Sequence, residues 1–262
     1  MTSYRICGVQ IETGEDPKEN LQKLFSCAER AAAVRPDFLV FPEMLEIVPR
    51  PQEAARFAHT VPSELTERLA EFARRHSVNL IGGTFFELEE GRVYNTCCVF
   101  DRKGELVGKY RKMHLFDAFG YDESAALTPG KEPFMCALDG LKAGIAICYD
   151  VRFPEMFRFY SIEGASIVFI PSAFFQPNHD HWALNIRSRA LDNTIFVMAC
   201  NQTGKRFVGR SMVAGPWGIP VASMGIEEGF FYTDINPGII DETRKALPFL
   251  DNRRFDVMLR SL

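Results

Sequence analysis

The chain alternates between strand-like and helix-like patterns of hydrophobic and polar residues. Residues 4–11 and 38–41 are short apolar runs, which are typical of buried strands. Residues 17–34 follow a helical period that opens on Pro17, and residues 63–75 predict a second helix. The first quarter of the chain therefore predicts strands that alternate with helices.

A hairpin is predicted after the second helix. The segment NLIGGTFFEL at 79–88 is followed by the turn signal EEGR and then by VYNTCCVFD at 93–101. Two apolar runs joined by a short glycine-containing turn favour antiparallel pairing.

The second half repeats the alternation of strands and helices. Strand-like segments lie at 134–138, 143–150, 166–174 and 194–202, and helical segments lie at 153–164 and around 181–193. Two further apolar segments, at 211–224 and 229–235, resemble another antiparallel pair. Mixed strand connections with helices in both halves predict an α/β fold, a four-layer αββα sandwich with two sheets face to face.

A single domain over 1–262 is expected, because 47% of its 262 residues are hydrophobic and no low-complexity linker interrupts them. The tail at about 245–262 contains aromatic residues and arginine, so we expect it to dock on the core or on a dimer partner.

Charge and hydropathy limit the classes of partner. A net charge of −4 and a pI near 5.8 lack the basic surface that nucleic acids require. The N-terminus has no basic leader with a long apolar segment, and no window approaches the roughly 18 apolar residues that cross a bilayer. These patterns predict a cytoplasmic protein that binds neither nucleic acid nor membrane.

The cysteines and histidines predict neither disulfides nor a metal site. The seven cysteines are odd in number, lie in apolar runs and lack CxxC spacing. Cys97 and Cys98 are adjacent in a predicted strand, so their side chains point to opposite faces. His179 and His181 are two residues apart at a predicted helix start, and no third ligand is evident.

Three short segments carry candidate chemistry: FPEM around Glu43, YRKMHLF around Lys112 and ICYDVRFPE around Cys148. Each segment alone has an ordinary interpretation, as a loop carboxylate, a basic edge strand or a buried cysteine. A carboxylate, an ammonium and a thiol, each beside an apolar run, together suit hydrolysis of a carbon–nitrogen bond through a thioester.

The context of each group suggests its task. Cys148 ends an apolar run and precedes Pro154, which predicts a strand-to-helix elbow whose amides stabilise the thiolate. Glu43 follows a buried strand, where loss of solvation raises the proton affinity of a general base. Lys112 supplies a positive charge for the thiolate and for a developing oxyanion.

Together the three segments resemble the nitrilase, or carbon–nitrogen hydrolase, superfamily. The resemblance extends from the first strand through RSRALDN at 187–193 to LPFLDNRR at 247–254. It implies a Glu43–Lys112–Cys148 triad, a dimer or higher homo-oligomer, and no metal or organic cofactor. Glu123, in GYDESAALTPG, matches the second glutamate of the amidase branch, which positions the lysine or the substrate amide.

The same resemblance suggests which residues line the pocket. These residues are Met44, Tyr149, Ala173, Phe174 and Trp182. Arg152 has two interpretations, as a contact for a substrate carboxylate or, favoured here, as an ion-pair partner of Asp150 or Glu155.

The predicted function is hydrolysis of a small linear amide, with release of ammonia and a carboxylic acid. HLFD at 114–117 and DES at 122–124 resemble the ω-amidase and deaminated-glutathione-amidase group. The intervening loop is shorter and more aromatic than in many ω-amidases and is expected to shape the acyl pocket. A nitrile substrate, an N-carbamoyl substrate and a non-catalytic scaffold of the same fold are the alternatives, and the physiological amide stays open.

Overall fold

The computed structural model describes residues 2–256. Within this range the strands are β1 (Tyr4–Gln10), β2 (Phe38–Val40), β3 (Asn79–Ile81), β4 (Phe85–Glu89), β5 (Arg92–Phe100), β6 (Leu106–Arg111), β7 (Asp117–Ala118), β8 (Tyr121–Asp122), β9 (Phe134–Leu138), β10 (Leu141–Ile145), β11 (Ile167–Ser172), β12 (Phe196–Asn201), β13 (Met212–Ala214), β14 (Pro220–Ser223) and β15 (Gly229–Ile235). The α-helices are α1 (Pro17–Ala32), α2 (Glu64–His76), α3 (Pro154–Ile162), α4 (His179–Asn193) and α5 (Gly238–Ala246).

The helices begin where the sequence supplies caps. Pro17 occupies the first turn of α1, and the Asp16 carboxylate accepts hydrogen bonds from the Lys18 and Glu19 N–H groups. Ser63 and Thr66 form a reciprocal capping box at the start of α2. These contacts pair N–H groups that have no partner within the helix.

Two mixed sheets form the centre of the molecule. In the first, β1 and β3 flank β2 in parallel, β15 pairs antiparallel with β1, and β5 pairs antiparallel with β3, β4 and β6. In the second, β10, β11 and β12 are parallel and antiparallel strands extend both edges, in the order β14-β13-β12-β11-β10-β9. β7 and β8 form a separate two-stranded ribbon.

The sheets pack face to face, with helices on their outer faces. Phe38 of β2 and Phe169 of β11 stack across the interface with ring centroids 5.7 Å apart. Leu24 of α1 and Leu69 of α2 pack with Leu39 on the outer face of the first sheet, while residues of α3 and α4 pack on the second. The predicted αββα sandwich is therefore confirmed.

Alternation along β5 places its two adjacent cysteines in different layers. Cys97 packs between the sheets and Cys98 packs under α1 and α2. All seven cysteines are buried free thiols. The predicted opposite orientation of Cys97 and Cys98 is confirmed.

Two predictions about strands need correction. The segment 79–88 is not one strand, because Gly82 and Gly83 separate β3 from β4, although the β4–β5 hairpin is confirmed. Residues 211–224 do not pair with 229–235. They form their own hairpin, β13–β14, while β15 adds to β1 in the other sheet.

The C-terminal tail is described only in part. α5 ends at Ala246 and residues 247–256 follow it, whereas residues 257–262 of the predicted docking tail lie outside the described range. Within residues 2–256, no helix has both the length and the apolar character needed to cross a membrane.

Candidate active site

Cys148 lies at the turn between β10 and α3. A 3₁₀ turn over Cys148–Arg152 joins the two elements, as the predicted elbow requires. Cys148 has a φ of +45°, a left-handed conformation that costs a non-glycine residue about 1–3 kcal/mol. The surrounding contacts must therefore hold this turn in place.

Asp150 connects the cysteine turn to the segment that carries Lys112. Its fully buried carboxylate accepts hydrogen bonds from the Ile147 N–H at 2.8 Å and from the Tyr110 hydroxyl at 2.7 Å. It also accepts one from the His114 N–H at 3.1 Å. Since Tyr110 and His114 lie two residues before and after Lys112, one carboxylate aligns both parts of the site.

Glu43 lies just beyond β2, in a loop held against the break between β3 and β4. The Met44 N–H donates to Thr84 Oγ1 at 2.9 Å, and the Thr84 N–H donates to the Pro42 carbonyl at 3.2 Å. Gly83 has a φ of +64°, and a Cβ there would lie 2.3 Å from the Pro42 carbonyl oxygen. Only glycine allows this approach, so the glycine pair of the sequence helps to position Glu43.

The carboxylate of Glu43 accepts hydrogen bonds from three groups. Lys112 Nζ lies 3.1 Å from Oε1, and Asn95 Nδ2 lies 2.8 Å from the same oxygen. The Ala173 N–H donates to Oε2 at 2.7 Å. Lys112 Nζ also lies 2.9 Å from Glu123 Oε2, so one ammonium joins two glutamates.

This charge cluster is almost completely removed from water. Glu43 is 1% exposed, and Lys112 and Glu123 are each 2% exposed. Burial alone lowers the pKa of Lys112, but the carboxylates of Glu123 and Glu43 outweigh it and hold that pKa well above its usual range. Burial raises the pKa of Glu123, which the charge of Lys112 opposes. Lys112 is therefore a permanent cation.

Burial outweighs the stabilisation that we expect for the Cys148 thiolate. Burial raises the pKa of Cys148 well above its usual value, and the charge of Glu43 raises it further. Lys112 and the Ala173 N–H lower that pKa, but by less. Cys148 is therefore a neutral thiol at pH 7, so a base must take its proton before it can act as a nucleophile.

A cavity opens onto these groups. All the residues predicted for the site except Trp182 line it, and the complete lining consists of Glu43, Met44, Val48, Lys112, Phe116, Tyr121, Glu123, Cys148, Tyr149, Arg152, Ala173, Phe174, Phe175, Asn178 and Phe207. Segments far apart in the chain therefore meet at one pocket.

Trp182 lies behind the pocket wall. Its ring is fully buried, its Nε1–H donates to the Arg210 carbonyl at 2.8 Å, and it packs 5.2 Å from the Phe174 ring. The prediction that Trp182 lines the acyl side is wrong, because α4 directs the indole into the core. It packs against Phe174, which does line the cavity.

Arg152 lines the pocket and lacks the predicted ion pair with Asp150 or Glu155. Among the described residues, neither Asp150 nor Glu155 forms a salt bridge with it, since Asp150 is occupied by the cysteine turn. The Arg152 guanidinium lies 5.1 Å from the Phe174 ring centre, and its Nη2 lies 3.4 Å from His181 Nδ1. A cation at the pocket wall therefore remains available to an anionic ligand.

Aromatic side chains form much of the remaining wall. Phe116 stacks on Phe175 with centroids 5.7 Å apart, Tyr121 lies 5.4 Å from Phe175, and Phe207 lies 5.1 Å from it. The predicted role of the aromatic loop at 116–124 in shaping the pocket agrees with the positions of Phe116 and Tyr121. No sequence motif singled out Phe207, which an isolated β-bridge brings to Phe175.

An ion pair secures the segment that carries the pocket residues Met44 and Val48. His59 Nε2 lies 2.6 Å from Glu46 Oε2, and the hydrogen bond from His59 to this carboxylate raises the pKa of His59. The pKa of His59 is therefore higher in the folded protein than in the unfolded chain, and the pair stabilises the fold at low pH. This contribution is lost as the pH rises through the folded-state pKa.

We therefore expect His59→Gln to remove a pH-dependent part of the stability. The free energy of unfolding of the wild type should fall, relative to the variant, by about 1 kcal/mol between about pH 6 and pH 8. Urea denaturation at several pH values measures this difference, and Glu46→Gln should reproduce it. A parallel pH dependence in wild type and both variants would show that the pair contributes nothing.

The histidines of α4 do not form a metal site. His179 and His181 lie within a helix, where residues two apart do not face each other. Among residues 2–256, no group of three or more histidine, cysteine or acidic side chains is arranged to hold a metal ion.

Comparisons with known proteins show which family the chain belongs to. Residues 5–245 match the family model described as carbon-nitrogen hydrolase. The chain is 33% identical to human omega-amidase NIT2 over 268 residues, which cover 98% of this chain and 97% of that protein.

Solved structures share the fold over nearly the whole chain. Saccharomyces cerevisiae Nit3, a member of branch 10 of the nitrilase superfamily, has a TM-score of 0.89 at 31% identity, with 97% of each chain covered. A glutamate-to-leucine mutant of the amidase from Nesterenkonia sp. AN1 has a TM-score of 0.80 at 25% identity, over 95% of this chain and 97% of that one. That mutant shows covalent addition of the acetamide moiety of fluoroacetamide at its active-site cysteine. With a family model, a full-length relative and two full-length folds in agreement, the chain belongs to the carbon-nitrogen hydrolase family of enzymes.

Proposed function

We propose that this enzyme hydrolyses the terminal amide of a small carboxylic acid through a thioester on Cys148. The proposal rests on one observation: Cys148, Glu43 and Lys112 open onto a single cavity whose wall also presents the Arg152 guanidinium. The cavity therefore brings a nucleophile, a base and an oxyanion partner together with a cationic group that suits a carboxylate.

Acylation of the thiol begins with proton transfer. Glu43 takes the Cys148 proton, and the sulfur electron pair forms a bond to the amide carbon. The carbonyl π pair moves to oxygen, where Lys112 and the Tyr149 N–H stabilise the negative charge. Glu43 then gives its proton to the leaving nitrogen, the carbon–nitrogen bond breaks, and ammonia departs with a thioester left on Cys148.

Hydrolysis of the thioester uses the same groups. Glu43 takes a proton from water while the water oxygen attacks the thioester carbon. Collapse of the second tetrahedral intermediate breaks the carbon–sulfur bond, and the proton on Glu43 returns to sulfur. The products are ammonia and a carboxylic acid.

Glu123 positions the lysine in this scheme. Its carboxylate holds Lys112 Nζ at 2.9 Å and accepts the Phe116 N–H at 2.8 Å. It therefore ties the ammonium to the aromatic loop at the pocket wall. This arrangement keeps Lys112 in place while Glu43 changes its protonation state.

Arg152 favours an amide that also carries a carboxylate. It lines the cavity, and no carboxylate among the described residues forms a salt bridge with it. A buried or half-buried arginine that faces an aromatic pocket suits a planar anion. The human relative is named omega-amidase NIT2, and this name supports the same substrate class.

The test of the function is ammonia release from a panel of compounds. The panel contains ω-amides of dicarboxylic acids, uncharged aliphatic amides, N-carbamoyl compounds and nitriles, each run beside Cys148→Ala. We expect Cys148-dependent release that is fastest from the ω-amides. Faster release from nitriles or carbamoyl compounds would replace the proposed substrate class, and no release from any member would favour the scaffold alternative.

Arg152→Ala provides the test of substrate class. We expect KM for an ω-amide carboxylate to rise by about 10- to 100-fold, because a charge-assisted contact is lost. An uncharged amide of the same length should be little affected. Arg206→Ala is the matched control, because Arg206 packs on the pocket aromatics Phe175 and Phe207 but does not line the cavity. An equal rise in KM for both amides would show that Arg152 does not recognise the substrate carboxylate.

The homodimer and the cytoplasmic location stay predictions. Exposed apolar side chains on α4 and the neighbouring β13–β14 hairpin support self-association, and they include Leu184, Leu191, Trp217, Ile219 and Val221. Sedimentation of the purified protein would measure the number of subunits.

A further inference from the structure

Asn95 is a buried polar residue at the back of the site. It lies in β5, is 1% exposed, and is aligned with Lys112 by the hydrogen bond from the Lys112 N–H to its carbonyl at 2.9 Å. Its side-chain Nδ2 donates to Glu43 Oε1 at 2.8 Å. Asn95 therefore touches the proposed general base without lining the cavity itself.

The Asn95 amide is only half paired. Its Oδ1 is buried and has no hydrogen-bond partner among the described residues. A buried acceptor without a partner costs about 1–3 kcal/mol, so an apolar side chain of similar size would suit the core better. The donation to Glu43 is the contact that explains an amide at this position.

The two oxygens of Glu43 have different surroundings. Oε1 accepts two hydrogen bonds, from Asn95 Nδ2 and Lys112 Nζ, whereas Oε2 accepts one, from the Ala173 N–H. The same Ala173 N–H also interacts with the Cys148 sulfur. Oε2 is therefore the oxygen on the cysteine side, and it has a lone pair to spare.

We infer that Asn95 is a positioning residue that directs the Cys148 proton to Oε2 of Glu43. In this step the S–H bond breaks, an O–H bond forms at Oε2, and the sulfur keeps the electron pair that attacks the amide carbon. A proton on Oε1 would point an O–H at the Asn95 and Lys112 donors, so that oxygen is blocked. The inference rests on the proposed function, because it assumes that Glu43 deprotonates Cys148.

The rate of Cys148 alkylation by iodoacetamide tests the inference without any amide substrate. We expect Asn95→Leu to slow alkylation at pH 7 by about 10- to 100-fold and to move the acidic limb of its pH profile to higher pH, because a donor that favours the ionised carboxylate is lost. The effect on amide hydrolysis should fall on kcat and leave KM unchanged. Asn95→Ser, whose hydroxyl is too short to reach Oε1, should give the same result if leucine is not accommodated.

Thr96→Val is the matched control. Thr96 is the next residue of β5, is fully buried, and donates to a different carboxylate, Glu87 Oε2, at 2.7 Å. Its loss should change stability but neither the alkylation rate nor its pH profile. If folded Asn95→Leu protein is alkylated like the wild type while Glu43→Gln is not, Asn95 has only a structural role. If Glu43→Gln is itself alkylated at the wild-type rate, the proposed role of Glu43 fails instead.

Discussion

Glu43→Gln is expected to lower kcat by at least about 10³-fold while the protein remains folded. Burial raises the pKa of Cys148, so the thiol is neutral at pH 7 and needs a base to form the nucleophile. Glutamine cannot take that proton. Its carbonyl oxygen can replace only one of the two carboxylate oxygens, so its NH₂ group faces either the Ala173 N–H or the Asn95 and Lys112 donors. The variant should therefore fold with reduced stability.

Single-turnover kinetics and iodoacetamide labelling are two independent measurements of thiolate formation in Glu43→Gln. Both acylation by the amide and alkylation by the reagent should be slow in Glu43→Gln, since both need the thiolate. Glu87→Gln is the matched control, because Glu87 is also 1% exposed and pairs with Lys109 and Arg111 but does not line the cavity. A Glu43→Gln enzyme with near wild-type turnover would assign the base to another group.

Lys112→Met is expected to destabilise the protein by about 3–5 kcal/mol at pH 7 and to abolish turnover. The substitution leaves Glu43 and Glu123 facing each other without the cation that lies 3.1 and 2.9 Å from them. Two buried carboxylates that lose their common cation repel each other and lack solvation. Part of the loss should be recovered on acidification, because protonation of Glu123, whose pKa burial already raises, removes the repulsion.

Urea denaturation at pH 7 and at about pH 5 measures the loss and its recovery. Lys112→Met combined with Glu123→Gln should regain stability relative to Lys112→Met alone, since one buried charge is then removed. Lys109→Met is the matched control, because Lys109 is 30% exposed and Arg111 still pairs with the same Glu87. A loss of under about 1 kcal/mol for Lys112→Met would mean that the buried charges do not depend on this ammonium.

The buried cluster of Glu43, Lys112 and Glu123 must satisfy two opposite requirements. Lys112 must be a cation for the two glutamates to remain buried, and Glu43 must still accept a proton during turnover. In the proposed mechanism Glu123 meets both needs, because its carboxylate lies 2.9 Å from Lys112 Nζ and balances the ammonium charge while Glu43 holds a proton. The proposed mechanism therefore assigns proton transfer to Glu43 and charge balance to Glu123.

The sequence alone predicted most of the elements and named the candidate reacting groups. Apolar periodicity predicts α1, α2 and the β4–β5 hairpin, because the spacing of apolar residues within each segment indicates its local conformation. The elbow at Cys148 follows from a strand that ends in polar residues before Pro154. The order of the motifs around Glu43, Lys112 and Cys148 carried the family resemblance and with it the αββα fold.

Only the tertiary structure decided the contacts between these groups. Glu43 and Lys112 are 69 residues apart and meet through one hydrogen bond, which no local pattern encodes. The same holds for β15, which pairs with β1 across the whole chain. The predicted position of Trp182 at the pocket wall is wrong, because helical spacing does not show which neighbouring element a side chain contacts. The neutral state of the Cys148 thiol follows from burial and from the charge of Glu43, and both depend on segments that come together only when the chain folds.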